Sequence, residues 1–300
     1  MAFILLNMLI YRRYPDKPEK KKEPKAMRII VPIKQVPETN AVKMDEVTGT
    51  MIREGVEAII NPLDLYAIEA AILLREQYGG EVIALSMGPA KAITALKEAI
   101  SMGIDRAVLL SHKAFAGSDT WATSFALATA IRRIGSDSPS GDSYNFDLVL
   151  CGERATDGDT GQVGPGIASF LNLPVASYVS KVEEVDGKTC RVQRLVEEGY
   201  EILELQMPAV LTVVKEVANP RLPTLRGKQK AKRAEIPVWG PDELQVSNDE
   251  IGLKGSPTRV VKIFRPKITR QGQKIPAGDE QGISSAVDQL LHFLQQRELI

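Results

Sequence analysis

The chain has 300 residues, 44% of them hydrophobic and 25% charged, which is enough apolar material for one or two sizeable cores and excludes a disordered chain. Its 38 basic and 38 acidic residues cancel, so no global field draws it toward nucleic acid or an anionic membrane. Two cysteines, Cys151 and Cys190, and two histidines, His112 and His292, are too few and too scattered for a zinc or iron–sulfur centre or a catalytic triad. They point to a reducing, cytoplasmic setting in which both thiols are buried and inert.

In chain order, residues 1–26 read as a disordered extension. The apolar stretch Met1 to Tyr11 is about half the length a bilayer span needs, and a basic, Pro-containing tether follows it. An upstream start codon is the simplest account, with a weak membrane-surface anchor as the alternative. Apolar runs at Arg28–Ile33, Glu81–Ser86, Arg106–Leu110 and Phe146–Cys151 read as buried strands. Between them, Asn61–Tyr78 carries helix grammar: Asn61 as N-cap, Pro62 at the first helical position, Asp64 near the capping-box position and Gly79-Gly80 as a stop. Helices at Pro89–Met102 and Asp119–Ile134 complete a βαβ alternation, and hence an α/β fold with a doubly wound, mostly parallel sheet. Arg191–Val196 and Ile202–Leu205 predict a hairpin about Glu197–Tyr200, and Ala209–Val214 a further strand. The α/β domain is expected over 27–240. Residues 241–300 form an arm with a final helix at Ile283–Arg297, poor enough in apolar area to seek another subunit.

The most informative stretch is Cys151-Gly152-Glu153-Arg154-Ala155-Thr156-Asp157-Gly158-Asp159-Thr160-Gly161-Gln162-Val163-Gly164-Pro165, which leaves a strand's carboxyl end and feeds a helix. Ligands bind there in open α/β sheets, and a helix amino end favours an anion by roughly 0.3–1 kcal/mol. Gly158, Gly161 and Gly164 permit close approach of amides, while Thr160 and Gln162 can donate to phosphate oxygens. Two carboxylates beside a phosphate repel it, so Asp157 and Asp159 are expected to cap amides. Spacing alone allows a plain capped turn, with Asp159 or Thr160 as N-cap, equally well. Neither a Walker A loop nor a GxGxxG fingerprint occurs here. No nucleophile–histidine pair, acid/base carboxylate frame or metal cluster stands out, so any redox chemistry belongs to a bound cofactor.

The loop resembles the nucleotide-binding loop of the electron-transfer flavoprotein β subunit family (FixA-like), and the resemblance covers roughly 27–240. Arg28-Ile29-Ile30-Val31-Pro32-Ile33-Lys34-Gln35-Val36-Pro37 is similar to the family's opening strand and turn. Ile60-Asn61-Pro62-Leu63-Asp64 is similar to its second nucleotide contact, and Leu85-Ser86-Met87-Gly88-Pro89-Ala90 to its third. Asn219-Pro220-Arg221 with Thr224-Leu225 resembles the loop that docks partner dehydrogenases. The resemblance implies an adenine-nucleotide α-hydrolase-like fold and a heterodimer with an α subunit that the C-terminal arm contacts. It places the cofactor on Pro32, Lys34, Asn61, Pro62, Asp64, Met87, Gly88, Gly152, Arg154, Ala155, Asp157, Gly158, Asp159, Thr160, Gly161, Gln162 and Val163. Lys34 and Arg154 are candidate positive groups near it, the alternative being that either is simply solvated. Docking falls to Val217, Asn219, Pro220 and Arg221, with an exposed Val217 as apolar anchor, the alternative being an ordinary strand-to-loop exit.

Gly158-Asp159-Thr160, and the segment Thr48–Gly55, resemble the electron-bifurcating members, where smaller loop residues leave room for FAD in place of AMP. The activity implied is oxidation of NADH, with one electron passing through the α-subunit FAD to an acyl-CoA dehydrogenase or flavoprotein quinone reductase, the other to ferredoxin or flavodoxin. The alternatives are a non-bifurcating β subunit with structural AMP, and a non-redox ATP-binding module of similar fold. The basic stretch Arg226–Arg233 is either a solvated face or a contact for the α subunit.

Overall fold

Two apolar faces of one sheet organise the chain in a computed structural model that describes residues 26–38, 58–136, 144–261, 272 and 274–300. The expected N-terminal extension, apart from Ala26, and the segment Thr48–Gly55 lie outside the described residues. The strands are β1 (Met27–Pro32), β2 (Gln35–Pro37), β3 (Ala58–Ile60), β4 (Gly80–Met87), β5 (Arg106–Leu110), β6 (Leu148–Gly152), β7 (Val175–Val185), β8 (Thr189–Val196), β9 (Gly199–Gln206), β10 (Ala209–Val213) and β11 (Val238–Trp239). The α-helices are α1 (Asp64–Tyr78), α2 (Ile93–Met102), α3 (Thr120–Gly135), α4 (Val163–Leu171), α5 (Leu225–Arg233), α6 (Pro241–Leu244) and α7 (Glu280–Gln296).

Nine strands form one sheet in the order β11-β5-β4-β1-β6-β10-β7-β8-β9, parallel from β11 to β7 and antiparallel through β8 and β9. The central strands are continuous apolar runs because helices cover both faces. On one face Ile29, Val31, Val82 and Ala84 pack with Ile68 and Ile72 of α1 and Leu96 of α2. On the other, Ile30, Ile83, Leu85 and Val149 pack with Leu127 and Ile131 of α3 and Ile167 of α4. Each such side chain, fully buried, contributes roughly 1.5–3 kcal/mol.

The connections through α1 and α2 step outward from β1 to β4 to β5. The connection through α3 then returns across β1 to place β6 on its far side. The β1/β6 boundary is therefore the topological switch point of a doubly wound sheet, where a crevice opens at the strands' carboxyl ends. The expected mostly parallel α/β architecture is present.

Several expectations need correction. Asn61 is not the N-cap of α1: the helix starts at Asp64 after a turn, with Leu63 in the cap position and no side-chain cap bond. The strand β7, the short strands β2, β3 and β11, and helix α5 have no counterpart among the predicted elements. The predicted hairpin is present, closed by Glu197-Glu198 between Val196 and Gly199. The first compact unit runs through Val261, beyond the expected boundary at 240, because Leu244 and Ile251 are buried in the α3/α4 core. The second unit, Lys262–Ile300, holds α7, capped by the Asp279 carboxylate accepting from the Gly282 N–H. Among the described residues no helix is long and apolar enough to cross a membrane.

Candidate nucleotide site at the sheet switch point

The antiparallel pair β2/β3 brings the end of β1 beside the start of α1, so that the Asn61 N–H donates to the Lys34 carbonyl at 2.8 Å. Two buried polar side chains then tie this corner to the loop after β6. Asp64 accepts from the Lys34 backbone N–H at 2.7 Å and from Asn61 Nδ2 at 2.9 Å. Asn61 also donates to the Arg154 carbonyl at 2.9 Å and accepts from the Thr156 N–H at 3.1 Å. Asn61 thus does the work of a latch between α1 and the loop, which explains why its side chain is absent from the helix cap.

Burial outweighs the bonds from Lys34 and Asn61 and pushes the Asp64 carboxyl up to about 7. Gly152 is required directly above it, since a Cβ there would overlap Asp64 Oδ1 and the Leu63 carbonyl. Both thiols are buried, as expected, and burial pushes that of Cys151 far up and that of Cys190 up to about 12.

The loop itself is exposed from Thr156 to Thr160. Its carboxylates meet cations, which corrects the expectation that they cap amides: Lys34 Nζ lies 2.6 Å from Asp157, and Arg154 Nη1 lies 3.3 Å from Asp159. Exposed pairs of this kind are worth roughly 0–1 kcal/mol, so an incoming phosphate can take over either cation at little cost. Nor is Asp159 or Thr160 the N-cap of the next helix. Gln162 occupies that position of α4 without a side-chain cap bond, and its Oε1 accepts from Thr120 Oγ1 at 3.4 Å. The amino end of α4 therefore presents backbone N–H groups that no side chain caps. Gly164 serves packing rather than ligand approach, because a Cβ there would overlap the Thr212 methyl on β10.

The remaining expected site residues fall around the same crevice. Pro32 ends β1 and is buried, Pro62 lies in the exposed turn before α1, and Met87 ends β4, the neighbour of β1, with Gly88 just after it. Gly158, Gly161, Ala155 and Val163 line the loop and the first turn of α4. The expected docking residues lie elsewhere, after β10. There Val217 is half-buried against the α1/α2 core instead of exposed, and Arg221 is turned onto α1. The exposed apolar groups of that stretch are Leu222 and Leu225. Single leucines among Pro, Thr and Arg carry no periodic signal, so sequence alone does not single them out.

The donor set suits a phosphate-bearing nucleotide. Uncapped amides and two loosely paired cations fit a diphosphate, and exposed carboxylates beside them fit ribose hydroxyls.

Residues 48–244 match the Electron transfer flavoprotein domain. The chain is 46% identical over 275 residues to the electron transfer flavoprotein subunit beta of Thermoanaerobacterium thermosaccharolyticum, covering 91% of this chain and 100% of that protein. It is 42% identical over 275 residues to the caffeyl-CoA reductase-Etf complex subunit CarD of Acetobacterium woodii, with the same coverage. Against the protein FixA of Azorhizobium caulinodans it is 44% identical over 244 residues, 80% of this chain and 85% of that one. With its parallel sheet and its loop at the switch point, the chain belongs to the electron-transfer flavoprotein β subunit (FixA) family.

Proposed function

We propose that the chain is the nucleotide-holding half of a heterodimer with an electron-transfer flavoprotein α subunit, and that it binds FAD and takes part in electron bifurcation from NADH. The observation that carries this reading is the uncapped amino end of α4 beside an exposed loop, latched by Asn61 at the β1/β6 switch point. Amides of that loop and helix would hold the diphosphate, and Lys34 and Arg154 would leave their carboxylates to neutralise it. Asp157 and Asp159 would then turn to the ribose hydroxyls. FAD is favoured over AMP by the small loop residue Gly158, whose Cβ would meet only Lys34 Nζ, at 3.9 Å, leaving room for a longer ligand to pass.

Held by the amides of the loop and α4 with Lys34 and Arg154, a flavin would supply the chemistry of hydride acceptance from NADH and single-electron release. One electron would leave toward the α subunit's FAD and an acyl-CoA dehydrogenase or flavoprotein quinone reductase, the other toward ferredoxin or flavodoxin. The chain's own part is to bind, orient and exclude water. The name of the Acetobacterium relative, a subunit of a reductase–Etf complex, supports a place in an assembly of this kind. Helix α7 lies with Ile283, Val287, Leu290 and Leu291 exposed along one side, an apolar stripe suited to the α subunit. Assayed with NADH, the heterodimer is expected to reduce ferredoxin or flavodoxin only while the dehydrogenase-side acceptor is also being reduced. Ferredoxin reduction at full rate without that acceptor contradicts bifurcation.

A further inference from the structure

Arg221 makes the side-chain bonds that fasten the stretch after β10 to α1. Arg221 Nε and Nη2 each donate to the Glu69 carboxylate at 2.9 Å, and Nη1 and Nη2 donate to Glu76 at 2.6 and 3.0 Å. The Arg221 backbone N–H adds a third contact to Glu69 at 3.0 Å. Glu69 is 4% exposed, so its charge is held inside the protein against this guanidinium. The two carboxylates sit about two turns apart along α1, the helix whose first residue, Asp64, supports the cofactor loop. Downstream, the Thr224 N–H donates to the Ser101 carbonyl at 3.2 Å, and Thr224 Oγ1 caps α5 by accepting from the Gly227 N–H. Between and just beyond these anchors stand Leu222 and Leu225, 85% and 83% exposed.

We propose that Arg221 is a positioning residue that mounts the partner-docking stretch on α1, so that Leu222 and Leu225 are presented at a fixed distance from the cofactor loop. This rests on the electron-carrier reading above. Arg221 itself makes no contact with the partner in this arrangement. Its forked bonds to two carboxylates use the planar guanidinium, which an ammonium cannot reproduce. A pre-ordered stretch binds with less loss of conformational freedom, so releasing it weakens partner binding without touching the cofactor.

The test uses the purified heterodimer carrying Arg221→Lys, and separately the double variant Glu69→Gln/Arg221→Gln, which leaves no unpaired buried charge should the single variant fail to fold. Backbone amide exchange across 216–224 is expected to quicken by about tenfold as the clamp opens. The KM for a purified acyl-CoA dehydrogenase from the same organism is expected to rise about fivefold. Flavin content and NADH oxidation with an artificial dye should stay within about twofold, since neither involves partner docking. Unchanged exchange, or quickened exchange with an unchanged KM, overturns the proposal. If the unmodified heterodimer passes no electrons to the dehydrogenase, the functional reading falls, and amide exchange alone then decides the clamp.

Discussion

Asp64 is a carboxylate whose burial raises its pKa from 3.8 to about 7 in the folded chain, so between these values the folded state holds the extra proton. Stability from this group is therefore fully present below about pH 4 and is lost as pH rises through 7, amounting to a few kcal/mol. Asp64→Asn should flatten that part of the pH profile of urea unfolding between about pH 4 and 7, while losing about 1–3 kcal/mol at pH 5 because the amide cannot accept from both Lys34 and Asn61. A slope equal to that of the parent chain contradicts the assignment. Gly152 and Gly158 should behave oppositely. Gly152→Ala drives a methyl into Asp64 and the Leu63 carbonyl and should cost at least about 1–3 kcal/mol together with bound cofactor. Gly158→Ala meets only the tip of Lys34, at 3.9 Å, and should leave thermal unfolding unchanged. The position of this loop was legible in the sequence, because an apolar strand ran into it and a helix ran out. Its internal partners were not. Lys34 with Asp157, and Asn61 with Thr156, are separated by 123 and 95 positions, and only the assembled sheet makes them neighbours.

Among the elements, strands β1, β4, β5 and β6 and helices α1, α2 and α3 announce themselves as uninterrupted apolar runs or stripes, because both sheet faces are covered. The strand β7 does not. Its outward positions include Tyr178, Lys181 and Glu184, its pairing slips near Tyr178, and Tyr178 adopts a positive φ of 60°, so no clean alternation survives. Helix α5, Leu225–Arg233, carries five basic residues and buries only Ala231, so its existence depends on its cap and its seat on α2 rather than on a stripe of its own. The basic stretch is thus a capped helix, with Lys230 Nζ bonded to the Ile104 carbonyl at 3.0 Å. Thr224→Ala removes the cap and should destabilise α5 by about 1 kcal/mol, seen as faster amide exchange over 225–233 with no change in β4 or β5. Uniform exchange across the chain would show that α5 does not depend on that cap.

For the whole molecule, the nine-stranded sheet with its two cores accounts for the first unit, and the second unit offers α7 with an apolar stripe and no buried residue within it. Removing residues 262–300 should leave thermal unfolding of the remaining chain unchanged while weakening association with the α subunit by at least about tenfold, measured by titration calorimetry. Equal affinity would assign α7 elsewhere. The residues that the sequence resemblance assigns to a cofactor fall around one crevice, and those it assigns to docking lie after β10. The expected exposure of Val217 does not hold, because the stretch folds back onto α1, where Arg221 meets Glu69. What the crevice holds is decided by denaturing the purified heterodimer and quantifying the released nucleotides by chromatography. Two FAD per heterodimer is the predicted result, and one FAD with one AMP would contradict it.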